Sequence, residues 1–253
     1  MDTTTGNTTH LSRTSLSNVL LACGLILSML VSGGCSHTLK NKGPSSSSLD
    51  FNDFGKSTID QITEMHVLEL RDLTRSLMIK LYKRNPRELR KQPRVNIESR
   101  LAQLYNGSQT YIFKELNKKT GTEAVQLAFD KKFHGDRVFA LIVGIKSMLH
   151  ASYNYRTEFY YFDSVDQQEL YDSARNLEII NWRLLTCMDH DNQPLIYSNS
   201  YLKTNPNLSY ERLFSKMIAN QDMMAKIVAD RTNRTIISVA QSAASTLLIP
   251  IGI

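Results

Sequence analysis

An uncharged run near the start of the chain constrains everything that follows it. Val19 to Val31 is thirteen residues in which only Ser28 is strongly polar. A helix needs about 20 apolar residues to cross a bilayer, so this run has instead the length of the apolar core of a secretory leader. It stops at Ser32-Gly33-Gly34, small residues that leave the helix and fit a peptidase groove, and Cys35 follows. A leader of this kind is cut away, so the fold must be built from later residues alone. Asp2 and Arg13 leave with it, one acid and one base, and the formal charge of +6 is unchanged. What remains is long enough to bury one substantial core.

With Gly34 directly before Cys35, and Leu30 and Val31 just upstream, the first thirty-six residues resemble a bacterial lipoprotein precursor. The resemblance implies cleavage before Cys35 and an acylated thiol there, with palmitate among the expected acyl chains. Ser36, in the second mature position where an aspartate would signal retention, implies sorting to the outer membrane with the folded part facing the periplasm. Leu20-Leu21-Ala22-Cys23 has a similar shape, but a cut there would leave a strongly apolar segment after it, so Cys35 is preferred. The alternatives are an uncleaved N-terminal helix over Leu16–Val31 and an ordinary cleaved leader. The chain then divides into a signal peptide (1–34), a lipidated cysteine with a Gly-, Pro- and Ser-rich flexible tether (35–55), and a folded domain (56–253). With Cys23 removed and Cys35 acylated, Cys187 stands alone, and the core must hold without a disulfide. Cys187 itself reads as a small buried hydrophobe.

The expected fold class is mostly α: a single multi-helix domain with one short extended aromatic segment. Ser57 is placed to cap a first helix, with Asp60 three residues on, and Ile59, Ile62, Leu70, Leu73, Leu77 and Leu81 recur at steps of three and four. His66 takes a slot on that stripe and reads as a packed, hydrogen-bonded histidine. Asn85-Pro86-Arg87-Glu88 reads as a cap, an N1 proline and an N3 glutamate opening a short helix. From Asn96 to Lys132 short helices are expected, with Leu101, Leu104, Ile112, Leu116, Val125, Leu127 and Phe129 as core, and with a hairpin at Asn106-Gly107 as the alternative. Val138 to Ile145, apolar nearly all round, reads as the buried central helix. Tyr153 to Phe162, with six aromatic residues, is the extended stretch. Asp163 or Ser164 is expected to cap the next helix, and Ser209 the last. The uncharged tail from Thr235 onward reads as a helix whose small face, Ser238, Ala240, Ser242 and Ala244, packs on the domain, on a partner helix or on a bilayer surface.

The search for chemistry is largely negative. There is no nucleophile elbow, no paired metal-binding histidines, no phosphate loop and no paired cysteines. The histidines show no metal-ligand spacing, so no metal and no cofactor are expected. Asp189-His190-Asp191-Asn192 offers hard oxygen atoms but reads as a polar turn. His134-Gly135-Asp136-Arg137 sets a histidine beside a helix start, where Asp136 as a simple cap is sufficient. An enzyme is not favoured, and no catalytic residue is assigned.

Charge carries the strongest positive signal. Lys80, Lys83, Arg84, Arg87, Arg90, Lys91 and Arg94 face Glu88 alone, a net of +6 in fifteen residues, and the rest of the mature chain balances. Such a cluster is either a solvated turn or a binding surface for anionic lipid, cell-wall polymer or an acidic protein; an exported protein does not meet nucleic acid. The acidic stretch Arg156 to Glu178 reads mainly as helix-start carboxylates, with self-association against a neighbour's basic turn as the alternative. The aromatic run fills a core or stacks on sugar rings. These features point to an outer-membrane-anchored, periplasm-facing lipoprotein that acts as a non-catalytic binding or assembly accessory. The alternatives are an envelope hydrolase with a scattered site and a self-associating structural lipoprotein.

Overall fold

A computed structural model describes residues 57–107, 110–160, 165–199, 207–237 and 247–252. Cys35, its leader and the tether lie outside the described residues. So do Tyr161, Phe162, Asp163 and Ser164, the Asn205-Pro206 turn, and the tail's Ser238, Ala240, Ser242 and Ala244.

The first helix, α1 (Thr58–Arg84), begins where its cap predicts. Ser57 accepts the Asp60 N–H, and the Asp60 carboxylate reaches back to the Ser57 N–H at 2.7 Å, so two of the helix's free donors are satisfied reciprocally. Leu70, Leu73, Leu77 and Leu81 are buried on one stripe. His66 sits half-buried with Nδ1 2.9 Å from the side-chain oxygen of Asn220. After α1 come α2 (Pro86–Leu89), α3 (Ile97–Tyr105), α4 (Gly121–Phe129), α5 (Arg137–Ala151), α6 (Gln167–Thr186) and α7 (Ser209–Thr232). The described residues form no strand, and the fold is mostly α.

The central helix is α5. Every one of its residues is buried except Lys146 and His150. Its neighbour α4 crosses at Gly144, where a Cβ would stand 2.7 Å from the Val125 nitrogen and 2.9 Å from the Gly121 carbonyl oxygen. Only glycine permits that approach. Ser147 ties the same crossing by accepting the Gly121 N–H at 2.7 Å, which satisfies a donor that Thr120 leaves uncapped. Helices α6 and α7 pack against the other side of the core through Gln221. This fully buried amide accepts from Tyr153 and donates to Ser152 and Ser173.

Several local expectations are corrected. Asn85 makes no cap bond to α2; its side chain donates to the Leu81 and Tyr197 carbonyls and accepts the Tyr197 N–H, which pins a loop to the end of α1. Asp166, not Asp163 or Ser164, caps α6 by accepting from Gln168 and Glu169. Ser209 is the first residue of α7, which has no side-chain cap, and Asn207 accepts its N–H instead. The segment before α4 is extended, not helical. Tyr111 is buried, Ile112 is 61% exposed and Phe113 is half-buried, an alternation of period two that helical spacing had obscured. Leu116 reaches the core from a single 3-10 turn, and no hairpin forms at Asn106-Gly107.

The described parts of the tail are not helical. Asn176 brackets Ile249, donating to its carbonyl and accepting its N–H, both at 2.7 Å. Gln168 does the same for Ile237. Leu248 is buried, so the described residues at 236–237 and 247–252 pack on their own domain, against α6.

Candidate functional site

On the apolar helix α5, Lys146 and His150 are four residues apart and therefore share a face. That face opens into a groove of about 480 Å³. Helix α1 supplies one wall with Val67, Leu70, Arg71 and Thr74; the end of α3 adds Leu104 and Tyr105; Tyr111 and Leu149 complete the floor. Three separate segments thus meet around two polar side chains that the helix pattern would otherwise bury.

Several polar groups in the groove are only partly satisfied. Lys146 Nζ donates to the Tyr111 hydroxyl at 3.0 Å and lies 4.7 Å from the Tyr111 ring centre and 5.2 Å from that of Tyr105. Burial, and then the Arg71 charge, lower its pKa to about 8. His150 is held edge-on between Tyr111 and Tyr155, with neither ring nitrogen in hydrogen-bond geometry. Its pKa falls to about 4, chiefly through burial and then through Lys146, while the nearby Tyr155 backbone favours the charged ring slightly. The Tyr105 hydroxyl is buried without a hydrogen bond, and burial pushes the Tyr111 hydroxyl up to about 12. A concave, largely apolar site with a few converging polar groups of shifted pKa is the usual form of a ligand pocket.

The basic turn divides into two sets. Lys80 lies over the Tyr210 ring at 5.6 Å. Arg87 donates to the carbonyls of Pro194 and Leu195, both at 2.9 Å, and stacks on Tyr197. Lys91 donates to Glu88 and to the Gly135 carbonyl. These three are clamps that fasten neighbouring segments. Lys83, Arg84, Arg90 and Arg94 are exposed, and Arg94 adopts a left-handed φ of 61°.

A shallow depression of about 230 Å³ adjoins the turn and brings Arg87 and Lys91 beside His134, Arg137 and Asp189. Its cations are largely committed: the Arg137 guanidinium donates to the Ala128 and Asp130 carbonyls.

His134, Asp136 and Glu158 stand in three different settings. His134 is exposed at the depression and Glu158 lines the groove. Asp136 is buried, bonded to Tyr82 at 2.8 Å and Arg100 at 3.2 Å while capping α5 through the Phe139 N–H. Burial pushes its carboxyl up to about 6 against the pull of these partners. Among the described residues no group of three His, Cys, Asp or Glu side chains is placed to hold a metal ion, and no helix is long and apolar enough to cross a membrane. Cys187 is free and half-buried, and burial raises its pKa.

In the sequence, Lys146 and Arg71 were not singled out, and His150 was weighed only as a metal ligand. The usable signal was present nonetheless: two polar residues at a four-residue step interrupt the most apolar helix of the chain. The chain matches no family model, no curated protein and no solved structure.

Proposed function

We propose that this protein is an acylated lipoprotein of the outer membrane that faces the periplasm and serves as a non-catalytic binding accessory. The α1/α3/α5 groove is its binding site. The address rests on Val19–Cys35 and the binding role on one observation: the groove sets His150 and Tyr105, whose buried polar atoms have no hydrogen-bond partner, beside Lys146. Buried polar atoms in that condition call for a partner. The exposed cations Lys83, Arg84, Arg90 and Arg94 are a second, electrostatic contact for an anionic surface such as lipid head groups or cell-wall polymer.

Two measurements test this. In a diderm bacterium the chain should incorporate labelled fatty acid and fractionate with the outer membrane, and Cys35→Ala should abolish the label; label that survives in Cys35→Ala sinks the address. Native mass spectrometry of the protein released from membranes should show a small bound mass that Leu149→Trp, which fills the groove, displaces. A parent protein with no bound mass and no thermal response to a small-molecule panel sinks the binding role.

A further inference from the structure

The groove carries a charge imbalance that its own residues do not correct, and on the reading that it is a binding site this imbalance selects the ligand. Among the described residues no carboxylate pairs with Lys146 or with Arg71. Neighbouring charges add to the imbalance: Arg71 opposes the charge on Lys146, and Lys146 opposes any charge on His150. The two acidic residues of the lining are engaged elsewhere. Glu64 accepts the Phe159 N–H at 2.9 Å, and Glu158 accepts from the Tyr160 hydroxyl at 3.2 Å. Arg71 spends one nitrogen on the Tyr105 carbonyl at 3.3 Å and is otherwise exposed at the groove's edge. A half-buried ammonium and a rim guanidinium thus stand beside an apolar wall with no carboxylate paired to either among the described residues.

We propose that the groove binds a fatty carboxylate, with its head group on Lys146 and Arg71 and its acyl chain against Val67, Leu70, Leu104 and Leu149. A carboxylate accepts from both cations at once, and charge-assisted bonds of this kind are the strong ones. A single negative charge is favoured over a doubly charged phosphate, because only one of the two cations is shielded from water and a dianion would be desolvated against too little positive charge. The unsatisfied His150 ring and Tyr105 hydroxyl lie in the same lining and provide neutral donors for the head group.

The test uses the full chain in nanodiscs, irradiated with palmitate bearing a diazirine near its methyl end, with the labelled peptides mapped by mass spectrometry. The expected result is labelling in the peptides that contain Val67–Leu70 and Leu149, competed by unlabelled palmitate. The matching fatty alcohol should label roughly tenfold less, since a charged hydrogen bond is worth at least about that factor. Lys146→Met should lower labelling by about the same factor and Arg71→Gln by a smaller one. Arg71 has an exposed side chain, so its variant keeps the test open if Lys146→Met disturbs the fold. Equal labelling by acid and alcohol, unchanged in both variants, overturns the carboxylate assignment while leaving the groove as a binding site. Stronger labelling by a lysophosphatidate probe also overturns it, in favour of a phosphate head. Labelling by none of the probes in these peptides ends both readings.

Discussion

Arg100 and Lys146 are two cations laid over aromatic rings, the first buried and the second half-buried, and they differ in what surrounds them. Arg100, 2% exposed, sits 4.0 Å from the Phe139 ring centre, donates to both oxygens of Glu115 at 2.6 and 2.8 Å, and meets Asp136 at 3.2 Å. Tyr82 and the start of α5 complete that network. Lys146 has rings and one hydroxyl but no carboxylate. A buried charge that the protein itself neutralises holds elements together, whereas one left short of partners is available to something else. The first joins α1, α3, the Lys114–Leu116 turn and α5; the second faces a groove.

The largest effect should come from breaking the first centre. Arg100→Met leaves Glu115 and Asp136 without their cation, and removing one member of a buried pair costs about 3–5 kcal/mol. Urea unfolding should show that loss. A change below about 1 kcal/mol would mean that the network is not a fastening point and would erase the contrast with Lys146. Lys146→Met should cost far less: it strands no carboxylate, only the Tyr111 hydroxyl, so the fold should stay within about 1 kcal/mol of the parent.

The second expected effect is a pH dependence carried by Lys146 above neutrality. Its folded pKa of about 8 lies below the ordinary 10.5, so the unfolded chain binds the proton more tightly between these values. Stability contributed by this group should therefore rise as pH climbs from about 8 to about 10.5 and be flat below. Only the difference between the parent and Lys146→Met isolates it, since His150, Arg71 and the Tyr105 and Tyr111 hydroxyls surround the same amine. An identical pH profile for the two proteins over that window would show that the ammonium is as well solvated as any surface lysine. Acid should also act on His150, whose folded pKa of about 4 lies below 6.5; stability from the neutral ring is lost as pH falls through that interval.

How far such sites can be read from sequence depends on whether the signal is local. Ser57 and Asp60 form their capping box because three residues suffice to define it, and α5 announces itself by an unbroken apolar run. Local rules fail where distant residues compete for a side chain. Asn85 looks like a cap but is taken by Tyr197. The holds on Ile237 and Ile249 are equally invisible locally, because Gln168 and Asn176 supply their backbone partners from α6. For the groove, the sequence shows Lys146 and His150 on one face but not the Arg71 and Tyr105 that α1 and α3 bring to it. For the basic turn it shows the cluster but not which cations are occupied.

That division yields a third contrast. Arg87→Ser removes two carbonyl clamps and a ring contact, and each lost bond from a charged donor is worth about 1.5–3 kcal/mol before any relaxation. Arg90→Ser removes an exposed charge and should fall within about 0.5 kcal/mol of the parent. If denaturant midpoints of the two variants coincide, the sorting of the turn into clamps and free cations is wrong.

The smallest effect on stability should belong to the four exposed cations together, and it is the most informative about the surface. Lys83, Arg84, Arg90 and Arg94 changed to Ser should leave the helical circular dichroism intact, since none holds another segment in place. What should change is association with anionic vesicles or cell-wall sacculi, and the loss should be greatest at low salt. The 27 residues of α1 at ~1.5 Å each set the turn roughly 40 Å from the helix start. A polymer or lipid surface reaching it would feel a field that decays over about 8 Å at physiological ionic strength. The same four substitutions should leave palmitate labelling of the groove unaltered. A fourfold variant that binds vesicles and sacculi like the parent at low salt would return the turn to a solvated surface and leave the groove as the one recognition element.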